Sequence, residues 1–218
     1  MNNIRRMFLA DPWNRALLAV FLILWAVSCI RVPYPKYFWL QHVPTVAAIV
    51  ALTAADHRFH ISRLSYSLIL AFLALHLLGA RYLYSYVPYD DWSAYLFGFN
   101  ITDLCGFRRN HYDRFVHFCF GLLLVIPLKR FACRIIGLNA IWSAAFAFMG
   151  ILAASAAYEI FEWLAAVVMA PDWAESYNGQ QGDTWDAQKD MAIAACGAVV
   201  GLAFIAVWWF SRTSRDKV

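Results

Sequence analysis

Apolar residues gather into six long runs separated by short polar or aromatic stretches, the pattern of helices that cross a bilayer. The runs predict spans at 15–30, 38–55, 64–83, 112–128, 140–170 and 188–210. A spanning helix needs about 20 mainly apolar residues. The second run is the weakest by this measure, and the fifth is long enough to tilt, kink or protrude. The expected fold is all-α: a polytopic bundle of about six transmembrane helices, with residues 1–218 forming one integral membrane domain.

Composition agrees with the pattern. The chain is 62% hydrophobic and 15% charged, with a mean hydropathy of +0.54, whereas a soluble domain is nearer half apolar and a quarter charged. Aromatic residues make up 17%, as expected where Trp and Tyr line the two interfaces of a bilayer. No polar stretch is long enough to fold alone, and there is no internal repeat. The net charge of +4 does not call for nucleic acid, because most Lys and Arg flank apolar runs.

Orientation follows from the distribution of those basic residues. With the N-terminus inside, Arg5, Arg6, Arg15, Arg58, Arg63, Lys129, Arg130, Arg134, Arg212, Arg215 and Lys217 are cytoplasmic. Arg31, Lys36, Arg81, Arg108, Arg109, Arg114 and Lys189 then lie outside. Eleven against seven favours both termini in the cytoplasm. A rival reading takes Ala26-Val27-Ser28-Cys29 as a lipoprotein cleavage site; Ala26 stands where a larger aliphatic residue is usual, which speaks against it.

Against this apolar background, ionisable residues at the edges of three spans stand out, because such a group costs roughly 2.5–3.5 kcal/mol at the centre of an inserted helix. Asp113 and His117 open the fourth span, Glu159 and Glu162 sit near the end of the fifth, and Asp183, Asp186 and Asp190 lead into the sixth. The predicted topology puts all of them at the outer end. Asp113, His117 and Gly121 are spaced to share a helix face, as are Glu159 and Glu162. The acidic stripe of the sixth span continues to Gly197 and Gly201, so that stripe is expected to face another helix at close range. His76, near the outer end of the third span, is placed to join the same cavity.

Carboxylates at this density do not all stay ionised side by side unless a cation neutralises them. Oxygen-rich ligands with one imidazole suit Mg, Mn, Ca or a Zn/Fe site better than Cu. Arg108, Arg109, Arg114 and Lys189 are also near enough to form a salt-bridge network instead. There is no His-Glu-x-x-His, no phosphate-binding glycine loop and no Gly-x-Ser-x-Gly elbow. Nucleotide cofactors and the usual serine hydrolases are therefore not expected. The aromatic segment 82–112 is too long for a turn, and reads either as a short interfacial helix roofing the cluster and touching lipid head groups or as a plain aromatic belt at the interface. In the loop 171–188, Gly179 and Gly182 suit tight turns and Asp183 suits a helix cap. The five cysteines form no CxxC pattern, although Cys29 and Cys105 could both face outwards and pair.

Three motifs are together distinctive. Arg109-Asn110-His111-Tyr112-Asp113-Arg114-Phe115-Val116-His117-Phe118, Tyr158-Glu159-Ile160-Phe161-Glu162-Trp163, and Gly182-Asp183-Thr184-Trp185-Asp186-Ala187-Gln188-Lys189-Asp190-Met191 resemble the YjdF-like family of bacterial inner-membrane proteins. The resemblance runs from about the third span to the C-terminus and implies a membrane location without implying a reaction. A fainter likeness is to VanZ-like membrane proteins, through Asp113/His117, a Glu on a later helix, and Asp190 with Gly197; Ala194 departs from the Asn of that pattern.

The expected site uses Asp113, His117, Asp183, Asp186 and Asp190 as ligands of a divalent metal ion. Glu159 or Glu162 acts as base beside His117, and Arg109 and Arg114 hold an anionic substrate. Membrane lipids are the expected partners, and a lipid or envelope intermediate the expected substrate. The alternative is a non-enzymatic protein: a structural polar network, an assembly partner or a small transporter. The apolar inner halves of the fourth and sixth spans weaken transport.

Overall fold

The structure is a computed structural model and describes residues 11–168 and 181–215. Within them, α1 is Pro12–Ser28, α2 Pro35–Phe59, α3 Arg63–Arg81, α4 Tyr89–Phe97, α5 Ile101–Cys105, α6 Tyr112–Phe131, α7 Ala140–Val168 and α8 Asp186–Arg215. No strand occurs among the described residues. Arg5, Arg6, Lys217, the loop residues 171–180 and the last two residues of the predicted fifth span lie outside them.

Local chemistry sets the boundaries. Asp11 caps α1 by accepting the Trp13 N–H at 2.9 Å, with Pro12 at the first helical position. Ser62 caps α3 through the Ser65 N–H. The predicted spans agree with the helices to within a few residues, and the largest differences are extensions of α2 and α8. The Asp56 carboxylate holds the C-terminal end of α2 by accepting the Ile61 N–H at 2.9 Å. A short π-helical stretch, Ala132–Ile136, extends α6 beyond Pro127.

Among the described residues, four helices contain segments long and apolar enough to cross a membrane: Phe38–Phe59, Arg63–Arg81, Ala140–Ala165 and Asp186–Trp208. The 17-residue α1 is apolar but shorter, spanning about 26 Å. The 20 residues of α6 run through the bundle between charged ends, Asp113 and Arg114 at one and Lys129 and Arg130 at the other. Val20, Ile23, Val167, Val199, Phe204 and Val207 all face outwards, an apolar exterior suited to lipid.

α6 is central, packing on α3, α7 and α8, while α1 and α2 pack on α3. It meets α8 backbone against backbone. A Cβ on Gly121 would overlap the Ala194 carbonyl oxygen, and one on Gly197 would overlap the Phe118 carbonyl oxygen. The expected glycine-lined packing face is therefore observed, with Gly201 against Val125 and Leu122.

The chain leaving α3 closes one end of the bundle. Leu83 and Tyr84 both take left-handed backbone, with φ of 50° and 53°, at roughly 1–2 kcal/mol each. Packing holds them there. Leu83 is buried between Leu40 of α2 and Ala165 of α7, and the Tyr84 ring fills the space left by the missing side chain of Gly79.

The segment 82–112 forms two short helices where one was expected. Asp90 of α4 accepts the Thr102 N–H and hydroxyl at the start of α5, at 2.8 and 2.5 Å. Tyr89 in turn accepts the His111 N–H, tying the pair to the start of α6. Tyr95, Leu96, Phe97 and Leu104 remain exposed. Cys29 and Cys105 do not pair, and all five cysteines are free thiols.

Candidate functional site

The starts of α6 and α8 and the far end of α7 meet at the end of the bundle closed by Leu83. Asp113 and His117 lie one turn apart and are both buried. His117 Nε2 is 3.7 Å from Asp113 Oδ1 and 3.5 Å from Glu159 Oε1 across the interface with α7. From α8, Asp190 enters the same space and is only 1% exposed.

Two carboxylate oxygens here, Asp190 Oδ1 and Glu159 Oε1, are buried and accept no hydrogen bond among the described residues. A buried acceptor without a donor carries its full desolvation penalty, and a charged one more. One ligand atom each from Asp113, His117 and Asp190 lie within 4.8 Å of one another. Calcium, with bonds of about 2.3–2.6 Å, is compatible with that spread. An ion with bonds of about 2.1 Å needs ligand atoms no more than roughly 4.2 Å apart, hence a small closure.

Beside this group lies a second layer, already paired. Arg114 Nη2 donates to Asp183 at 2.5 Å and to Asp186 at 3.3 Å, and its Nε lies 3.9 Å from Asp190 Oδ1. Arg109 hydrogen-bonds Asp186 and lies 4.0 Å from Asp183. Lys189 donates to both oxygens of Asp183 at 2.7 and 2.9 Å. Three cations thus face Asp183 and Asp186, and one of them, Arg114, also reaches towards Asp190.

On the opposite side, a chain of buried polar groups leads away from the cluster. Tyr158 hydrogen-bonds Glu162 and Tyr84. Tyr84 binds His76 Nδ1, and His76 Nε2 lies 3.1 Å from the Gln41 carbonyl oxygen.

Residues 13–211 match the family described as "Predicted membrane protein (DUF2238)". The inner membrane protein YjdF of Escherichia coli (strain K12) is 33% identical over 175 residues, covering 79% of each chain. The chain belongs to the DUF2238 family. No solved structure matches it.

This DUF2238 protein is an integral, multi-pass membrane protein, and its helices divide the sequence-derived candidates into two groups. Asp113, His117, Glu159, Glu162 and Asp190 share one interior space. Asp183 and Asp186, expected among the metal ligands, are instead turned towards Arg109, Arg114 and Lys189. Arg109 and Arg114, expected to hold an anionic substrate, are engaged by those same carboxylates, in the salt-bridge arrangement that the sequence also allowed. Asp183 also lies ahead of α8 rather than within it, its side chain accepting the Trp185 N–H.

The bond from Lys189, with further donation from Trp185 and Arg114, holds the Asp183 carboxyl well below the usual carboxylate range. A depressed folded-state value stabilises at every pH above the unfolded value of about 4. The pairing therefore persists through neutral pH and is lost only on strong acidification.

Sequence reasoning missed Tyr84 and Tyr158 as members of the site. Their aromatic surroundings read equally well as an interfacial belt, and only the fold shows their hydroxyls turned inward.

Proposed function

We propose that this DUF2238 protein is a cation-dependent enzyme of the bacterial inner membrane. Its site lies at the outer face and both termini are cytoplasmic. The substrate is a lipid or envelope intermediate that reacts at a phosphoryl or acyl group. The observation that carries this reading is the pair of buried carboxylate oxygens on Asp190 and Glu159 around His117: neither accepts a hydrogen bond among the described residues, and the groups facing them, Arg114 Nε at 3.9 Å and His117 Nε2 at 3.5 Å, stand beyond ordinary hydrogen-bond length.

Asp113, His117 and Asp190 would hold a divalent ion, which supplies Lewis acidity and a more acidic bound water when present. Glu159, within 3.5 Å of His117, is placed to take a proton from the attacking group. Glu162 is held by Tyr158 and keeps the wall of the site fixed. Arg109, Arg114 and Lys189, gathered at the rim, would supply the cationic side of contacts to an anionic head group.

One observation favours the non-enzymatic alternative. The paired layer of Arg109, Arg114, Asp183 and Asp186 is what a latch between the starts of α6 and α8 requires. Transport is disfavoured because Val125, Ala194 and Ala198 pack without polar groups along the same two helices.

The discriminating experiment places the purified protein in nanodiscs of bacterial polar lipid extract with Mg, Mn or Ca. Lipids lost and products gained are then followed by mass spectrometry. The expected result is a conversion that EDTA stops and that is absent in Glu159→Gln. Absence of any conversion with all three cations would favour the latch.

A further inference from the structure

A cavity of about 160 Å³ adjoins the cluster on the side of the bundle centre. Asp113, His117 and Ser155 line its polar end. His76, Tyr84 and Tyr158 add three more polar side chains to the lining, and most of the remaining wall surface is hydrocarbon, from Ala48 of α2, Phe72 and Leu73 of α3, Val116 and Phe120 of α6, and Ala154 of α7. Phe120 follows Asp113 by two helical turns, so the cavity reaches about 10 Å below the carboxylates.

Its geometry limits the route in. Towards the near end of the bundle, Leu83 closes the space between Leu40 and Ala165. α2 packs on α3, whereas α7 packs on α6 and α8, and the cavity lies between these two groups. Ala154, on its α7 side, is exposed on the flank of the bundle. In a membrane that flank meets acyl chains. A second observation points to an occupant with a polar atom near its head: the Ser155 hydroxyl lines the cavity, is 2% exposed, and has no hydrogen-bond partner among the described residues.

We infer that this cavity is a hydrocarbon-chain subsite, taking one chain of a membrane lipid sideways from the bilayer with its polar group against Ser155, Asp113 and His117. The inference rests on the reading that the substrate is a lipid, and it adds how that lipid enters. Largely apolar walls make a water-filled space a poor alternative, and Leu83, packed with Leu40 and Ala165, obstructs the direct path from that end of the bundle.

The test uses a phospholipid carrying a diazirine midway along one acyl chain, incorporated into nanodiscs with the full chain. After illumination, adducts are mapped by peptide mass spectrometry. Leu73 and Val116, 4% and 5% exposed, are out of reach of surrounding lipid but line the cavity. Adducts are expected on both, together with adducts on outward residues such as Val20 and Val167.

In Ala154→Phe, and separately in Ala48→Phe, the inner adducts should fall at least fivefold while the outward ones persist. Adducts confined to outward residues, or inner adducts undiminished in both variants, would overturn the inference. Inner adducts in a protein that converts no lipid would uphold the cavity and remove the enzyme. Conversion with outward adducts alone would do the reverse.

Discussion

Alanine at Gly121 or Gly197 is expected to break the native bundle, each change costing about 3 kcal/mol or more. The added methyl meets backbone and not a rotatable side chain. At Gly121 it overlaps the Ala194 carbonyl oxygen and stands 2.7 Å from the Ala198 nitrogen. At Gly197 it overlaps the Phe118 carbonyl oxygen and stands 2.9 Å from the Leu122 nitrogen. Relief requires α6 and α8 to separate, which would also pull Asp113 away from Asp190. For a chain of this size each kcal/mol lowers the melting temperature by roughly 2–4 °C, so a fall on the order of 10 °C is expected in detergent. Gly150→Ala is the control, since its new methyl would meet only Leu128 Cδ1, at 3.4 Å. Equal melting of Gly121→Ala and Gly150→Ala would show that the crossing is looser than described.

Arg114→Met is expected to be nearly as damaging, for an electrostatic reason. One guanidinium serves Asp183, Asp186 and Asp190, and its removal strands the almost fully buried Asp190 and leaves buried Asp186 to Arg109 alone. Breaking a buried ion pair from one side costs roughly 3–5 kcal/mol. Arg114→Lys should recover little, because a single ammonium cannot replace a planar fork that reaches three partners. Adding Asp186→Leu to Arg114→Met should recover part of the loss, since the two residues are coupled. Thermal melts of the single and double variants give the coupling directly. A double variant as unstable as the sum of both single changes would mean the pairing contributes nothing to the fold.

Most of the architecture was legible because the bilayer constrains sequence so strongly. Every spanning helix satisfies its own backbone internally and shows hydrocarbon outwards, so the six runs announce themselves. α2 was the hardest to read for a physical reason: Gln41, His42, Thr45 and Asp56 lower its apolar character, and all four are buried against neighbouring helices. The acidic residues were also legible, as expensive groups in the wrong place. Their spacing placed Asp113 with His117, and Glu159 with Glu162.

Partner choice across helices was not legible. Asp183, Asp186 and Asp190 form one stripe in sequence, yet the start of α8 at Asp186 and the position of Arg114 divide them between an ion-paired layer and the inner cluster. That division depends on rotation and depth of three helices relative to one another, which no spacing rule encodes. The Leu83–Tyr84 closure was equally hidden, because two consecutive left-handed residues without glycine have no local signature.

The central claim is that Asp113, His117 and Asp190 form a cation site. Elemental analysis of detergent-purified protein, freed of loosely held ions, tests it most directly when run beside Asp113→Asn and Asp190→Asn. Both variants are first shown to be monodisperse and folded. The account predicts a stoichiometric divalent metal in the wild-type protein that is lost from both variants. A wild-type protein without metal, or variants that retain it in full, would contradict the claim and leave the cluster as a polar latch between helices.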